Sequence, residues 1–127
     1  MITYKKLVRD KIPDIIKADG GECEFRVIDS NKEYKQYLDR KLREEVNEFI
    51  SSPSIGEIAD ILEVLDALKA FHNFSVEDIK EAKRLKRKTH GGFIGRIVLE
   101  TASEEKPVIE RDESHVTLNM GNTELES

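Results

Sequence analysis

Two helical patterns stand back to back in the middle of this chain, separated only by Ser51-Ser52-Pro53-Ser54. Each opens on a capping box, Ser30 with Glu33 and Ser54 with Glu57. In such a box the serine oxygen accepts an N–H that the first helical turn would otherwise leave unpaired. The first pattern runs to about Ile50 and the second to about Phe71. At about 100° per residue, Tyr34, Leu38, Leu42, Val46, Phe49 and Ile50 share one arc of roughly 160°. Ile58, Ile61, Leu62, Val64, Leu65, Leu68 and Phe71 make the matching face of the second helix. A connection this short forces the pair antiparallel, with the apolar faces meeting. A chain built around such a hairpin is mostly α.

Carboxylates interrupt both faces. Glu45 falls near the middle of the first arc, Glu48 at its border and Glu44 further out. Glu57 lies inside the second face and Asp60 flanks it one turn along. An ionised carboxylate facing a core costs several kcal/mol unless it is paired or holds a metal. The i, i+3 spacing points both members of each pair the same way. Glu45, Glu48, Glu57 and Asp60 therefore converge, and they repel one another unless a cation neutralises them. An all-oxygen set with no His or Cys nearby favours Mg²⁺ or Mn²⁺ over Zn²⁺. The competing reading is a solvated face bridged to Arg40, Lys41 and Arg43. A single E-x-x-E says little; the doubled pattern inside apolar faces favours the metal. Glu63 and Asp66 project away from the apolar arc and read as surface charge.

Before the hairpin, Leu7/Val8, Ile12 and Ile15/Ile16 recur at helical spacing. Pro13 fits only if a helix starts there, in its first turn. Asp19-Gly20-Gly21 is a break. Glu22 to Ile28 alternates Cys23, Phe25 and Val27 against charged residues, which predicts a half-buried strand. Ser75 with Asp78 caps a further helix from Val76 to about Lys88, stopped by Thr89-His90-Gly91-Gly92. Phe93 to Leu99 again alternates, so a small two-stranded element is expected. Val108-Ile109 and Val116-Thr117-Leu118 offer weak edge-strand signals in a tail that disorder suits equally. Cys23 reads as a small core residue. His72, His90 and His115 make no metal pattern, and neither glycine pair fits a phosphate loop. Phe25, Tyr34, Tyr37, Phe49 and Phe71 sit at core-compatible spacing.

The 127 residues fit one domain. The net charge of −5 is misleading taken whole. Residues 101–127 hold seven acids and two bases, so the first 100 residues carry 19 of each and are neutral. We therefore expect a domain over 1–100 and an acidic tail over 101–127. The overall net charge argues against a nucleic-acid partner. No run of 18 apolar residues exists, so no membrane partner is expected. The start lacks a signal-peptide stretch, and a lone cysteine fits a reducing cytoplasm.

Glu44-Glu45-Val46-Asn47-Glu48, followed by Glu57-Ile58-Ala59-Asp60, resembles the E-E-x-x-E…E-x-x-D signature of MazG-like nucleotide pyrophosphohydrolases. These belong to the all-α NTP pyrophosphatase superfamily. Lys6-Leu-Val-Arg-Asp-Lys-Ile-Pro13 and Gly91-Gly-Phe93 with Arg96 are similar to a phosphoribosyl-ATP pyrophosphohydrolase-like branch. The resemblance spans about residues 4–100. It implies a helical bundle completed by dimerisation, as a homodimer or a dimer of dimers. It implies Glu45, Glu48, Glu57 and Asp60 as Mg²⁺ ligands, and a nucleoside triphosphate as substrate. Glu44, Glu45 and Glu48 would be the catalytic carboxylates, with Glu44 or Glu48 acting on water. The basic stripe Lys80 to Lys88 suits a helix C-terminus by itself. In related enzymes Lys and Arg of this helix contact phosphates, which marks Lys83 and Arg87, followed by Lys6, Arg9 and Arg96. Arg9 and Asp10 could equally form a structural ion pair.

The expected reaction is Mg²⁺-dependent hydrolysis of a nucleoside triphosphate to monophosphate and pyrophosphate, a nucleotide-pool house-cleaning role. A second reading keeps the site and takes phosphoribosyl-ATP as substrate. A third is a non-catalytic helical adaptor that dimerises and binds through the Lys80 to Lys88 stripe. The adaptor predicts no Mg²⁺ requirement and binding that weakens steeply with salt.

Overall fold

The capping signals translate directly into helix starts. The computed structural model describes residues 2–103, in which four helices follow one another: α1 Ile12–Ala18, α2 Asn31–Ser51, α3 Ile55–His72 and α4 Val76–His90. Ser30, Ser54 and Ser75 are the N-caps of α2, α3 and α4. Each Oγ accepts the N–H three residues on, at 3.1 Å, from Glu33, Glu57 and Asp78. Pro13 occupies the first turn of α1, where its missing N–H is not needed. Asn73, with φ 59°, closes α3 in the left-handed conformation that asparagine tolerates better than most residues. Gly91, with φ 89°, closes α4.

The described chain falls into two compact units divided between Asn73 and Phe74. In the first, α2 packs against α3. The three-residue link at 52–54 makes them antiparallel. Tyr34, near the start of α2, meets Phe71, near the end of α3, edge to face with centroids 5.8 Å apart. Leu38 and Val64 are the buried apolar side chains among the described residues, and Leu38 is fully enclosed. Leu42, Val46, Phe49, Ile61, Leu68 and Phe71 are half-buried around them. The expected faces therefore hold in their centres and fail at their edges. Ile50 is 70% exposed, and Ile58, Leu62 and Leu65 form a second apolar stripe of α3 that α2 leaves open. The second unit holds α4, with Ile79, Ala82 and Leu85 half-buried along one side and Lys83 and Arg87 exposed.

The expected two-stranded element is not formed: among the described residues there is no strand. Alternation makes a strand only where a second strand takes up its N–H and C=O groups. Neither segment has such a partner among the described residues, and they belong to different units. Phe25 and Val27 stay exposed, and half-buried Cys23 puts its Sγ 3.9 Å from the Pro13 carbonyl oxygen. Phe93 to Leu99 is not even continuously extended, because Arg96 turns back at φ 60° and donates its N–H to the Phe93 carbonyl at 3.1 Å. The edge-strand signals at 108–109 and 116–118 lie outside the described residues. No helix among the described residues is long and apolar enough to cross a membrane.

Candidate metal centre

Antiparallel packing brings the last turns of α2 onto the first turns of α3. Glu45 lies seven residues beyond Leu38, on the same face of α2, so the packing that buries Leu38 buries Glu45 as well. It is only 6% exposed. Glu57 and Asp60, one turn apart on α3, are half-buried opposite. Glu45, Glu57 and Asp60 each offer one carboxylate oxygen, and these oxygens lie within 4.8 Å of one another.

Two carboxylate oxygens of these residues are costly as they stand. Glu45 Oε1 and Glu57 Oε1 are buried without a hydrogen-bond partner. Burial pushes the Glu57 carboxyl above the usual carboxylate range, and the nearby charges of Glu48, Asp60 and Glu45 push it the same way. A divalent cation would remove both penalties together. Two oxygens on one Mg²⁺ at about 2.1 Å stand at most about 4.2 Å apart. The three carboxylates therefore need only a small side-chain adjustment to share an ion, and the donor set fits a hard cation.

Glu48 stands outside this three-oxygen set. It is exposed, yet close enough to Glu57 to act on its ionisation. Glu44 is turned aside towards two cations, with Lys41 Nζ at 3.4 Å and Lys6 Nζ at 3.7 Å from its Oε2. Lys6 also lines a shallow cleft with Leu7, Tyr37, Arg40, Lys41 and Glu44. The Arg40 guanidinium stacks on the Tyr37 ring at 4.8 Å. Arg9 is paired with Asp60 rather than Asp10: its Nη2 donates to Asp60 Oδ1 at 2.8 Å. Lys83, Arg87 and Arg96 are exposed residues of the second unit, and Glu63 and Asp66 are exposed on α3.

Two cations, Lys41 and Arg9, stand at the cluster in roles other than those the sequence suggests. By sequence Lys41 reads as a surface partner, yet its Nζ lies 3.3 Å from Glu45 Oε2 with the side chain 16% exposed. Its i, i+4 spacing to Glu45 was a usable signal. Nothing in the sequence signals that Arg9 reaches an acid 51 positions away. No family model, curated protein or solved structure matches this chain, so the centre is read from its own geometry.

Proposed function

We propose that this chain is a Mg²⁺-dependent nucleoside triphosphate pyrophosphohydrolase of the MazG-like kind, releasing a nucleoside monophosphate and pyrophosphate. The observation that carries the reading is the pair of buried, unpartnered oxygens, Glu45 Oε1 and Glu57 Oε1, within the three-carboxylate set. A structural ion-pair network has no use for them. Glu45, Glu57 and Asp60 would hold Mg²⁺, with Mn²⁺ as a substitute. When bound, the ion neutralises phosphate oxygens and makes a water more acidic.

Glu48 is the carboxylate placed to take a proton from the attacking water, since it borders the set without belonging to it. Glu44 is less suited to that step because Lys41 and Lys6 hold it. As the anhydride between the α and β phosphates is cleaved, pyrophosphate leaves with added charge. The cationic cleft of Lys6, Arg40 and Lys41 would offset that charge. Lys83, Arg87 and Arg96 are phosphate-binding candidates within the second unit taken by itself, and in the first unit Arg9 holds Asp60.

Ile58, Leu62 and Leu65 recur at i, i+4 and i+7 on α3 and are 40%, 55% and 37% exposed. A second copy of the hairpin laid on this stripe would complete a four-helix bundle. Leu62→Glu should then shift the particle to half its mass in sedimentation. The single cysteine suits a cytoplasmic setting.

Activity is tested by incubating the full chain with Mg²⁺ and ATP, dUTP or phosphoribosyl-ATP and measuring released pyrophosphate. Turnover of one of the simple triphosphates is the expected result. Release from phosphoribosyl-ATP alone would instead move the substrate to that compound. Glu45→Gln should abolish release while keeping the helical circular dichroism spectrum. Full activity in that variant would refute the site.

A further inference from the structure

We infer that Lys41 is a positioning residue for the metal centre: its ammonium holds Glu45 Oε2, so that Oε1 is left to face Glu57 and Asp60. This role rests on the reading of those three carboxylates as a divalent-cation site.

Lys41 stands one turn before Glu45 on α2. Its Nζ lies 3.3 Å from Glu45 Oε2, and Glu44 Oε2 lies 3.4 Å away on its other side. The side chains of Lys41 and Glu45 are only 16% and 8% exposed. The contact is therefore largely out of reach of solvent ions, unlike the surface pairs of this chain. A carboxylate with one oxygen held and the other buried without a partner has a fixed direction. Without Lys41, Glu45 would gain by turning towards water, and the ligand oxygen would be lost from the set. Carboxylates that bind metals commonly have their remaining lone pairs held in this way. Asp60 also has one oxygen held, Oδ1 by Arg9 at 2.8 Å. That arginine is 55% exposed, however, and so constrains its partner less.

A plain neighbouring charge predicts the opposite sign. If Lys41 acted on the ion only through Coulomb repulsion, removing it would tighten dication binding. If it orients Glu45, removing it weakens binding. The experiment is a calorimetric Mn²⁺ titration of the full chain without nucleotide, at one fixed ionic strength. It compares the wild type, Lys41→Met and Lys41→Arg, with circular dichroism as the fold control.

Lys41→Met should weaken Mn²⁺ binding by about tenfold or more, and Lys41→Arg should stay close to the wild type. Unchanged or tighter binding by Lys41→Met would overturn the positioning role while leaving the metal centre standing. Absence of Mn²⁺ binding in the wild type would remove the centre and this role together. Should Lys41→Met lose its helical signal, Lys41→Gln put through the same titration decides by the same sign.

Discussion

Glu33 and Glu57 occupy the same place in the same local structure. Each is the third residue after a capping serine, and each donates its backbone N–H to that serine at 3.1 Å. Their carboxyls nevertheless move in opposite directions. Hydrogen bonds from Arg26 hold Glu33 below the usual carboxylate range. Burial and the charges of Glu48, Asp60 and Glu45 push Glu57 above it. A capping box fixes where a helix begins. What its acid then does depends on what the rest of the chain places opposite. At the start of α2 that is a loop arginine, and at the start of α3 it is the acidic end of α2.

The surest way to break the contrast is to part the two helices, because Glu57 would then meet neither Glu45 nor Glu48. Leu38, 1% exposed, is the most enclosed side chain of the hairpin. Leu38→Ala should destabilise the fold by about 2–5 kcal/mol in urea titration. A neutral result there would mean that α2 and α3 are held together elsewhere.

Next comes charge removal at the two matched positions. With Mg²⁺ present, Glu57→Gln should reduce pyrophosphate release by roughly 100-fold or more, because losing even an outer partner of a metal ligand commonly costs 10–100-fold. It should also erase the rise in melting temperature that a cation bound only to the folded state must produce. Glu33→Gln should leave both unchanged. Equal losses from the two variants would show that the contrast has no bearing on function.

Cap removal is smaller and should be symmetric. Ser30→Ala and Ser54→Ala are each expected to cost about 1 kcal/mol in denaturant unfolding. A much larger loss at Ser54 would show that the cap also sets the position of Glu57.

The smallest effect is on pH dependence, measured with EDTA present. Where a folded-state pKa is raised, the folded state binds more protons between the unfolded and folded values, and stability falls as pH rises through that window. Glu57 has this sign. Glu33 has the other: its contribution is present above the unfolded pKa and is lost as pH falls through the lowered folded value. From acid to neutral pH, melting temperatures relative to wild type should therefore drift upward for Glu57→Gln and downward for Glu33→Gln. Drifts in the same direction would contradict the opposed environments.

The helices were legible because their signals are local. Serine caps, the Pro13 start, the Gly91 stop and the face that Glu45 shares with Leu38 all follow from neighbours within two turns. The misread strands had a local signal too, but a strand needs a partner, and alternation at Glu22 to Ile28 cannot supply one. Periodicity puts Ile58, Leu62 and Leu65 on the face against α2, because it marks apolar residues without saying which neighbour covers them.

By itself, then, the sequence determined where α2, α3 and α4 begin, that the hairpin runs antiparallel, and that Glu45 and Glu57 face inward. These depend on backbone hydrogen bonds and residue spacing within single helices. Only the tertiary structure decided that Arg9 pairs with Asp60, that the Lys41–Glu45 pair is enclosed, and that Glu48 stands beside the three-oxygen set instead of within it. Those outcomes depend on distances of a few ångströms between side chains from different turns and segments. Helical periodicity fixes the direction of a side chain but not the partner it meets.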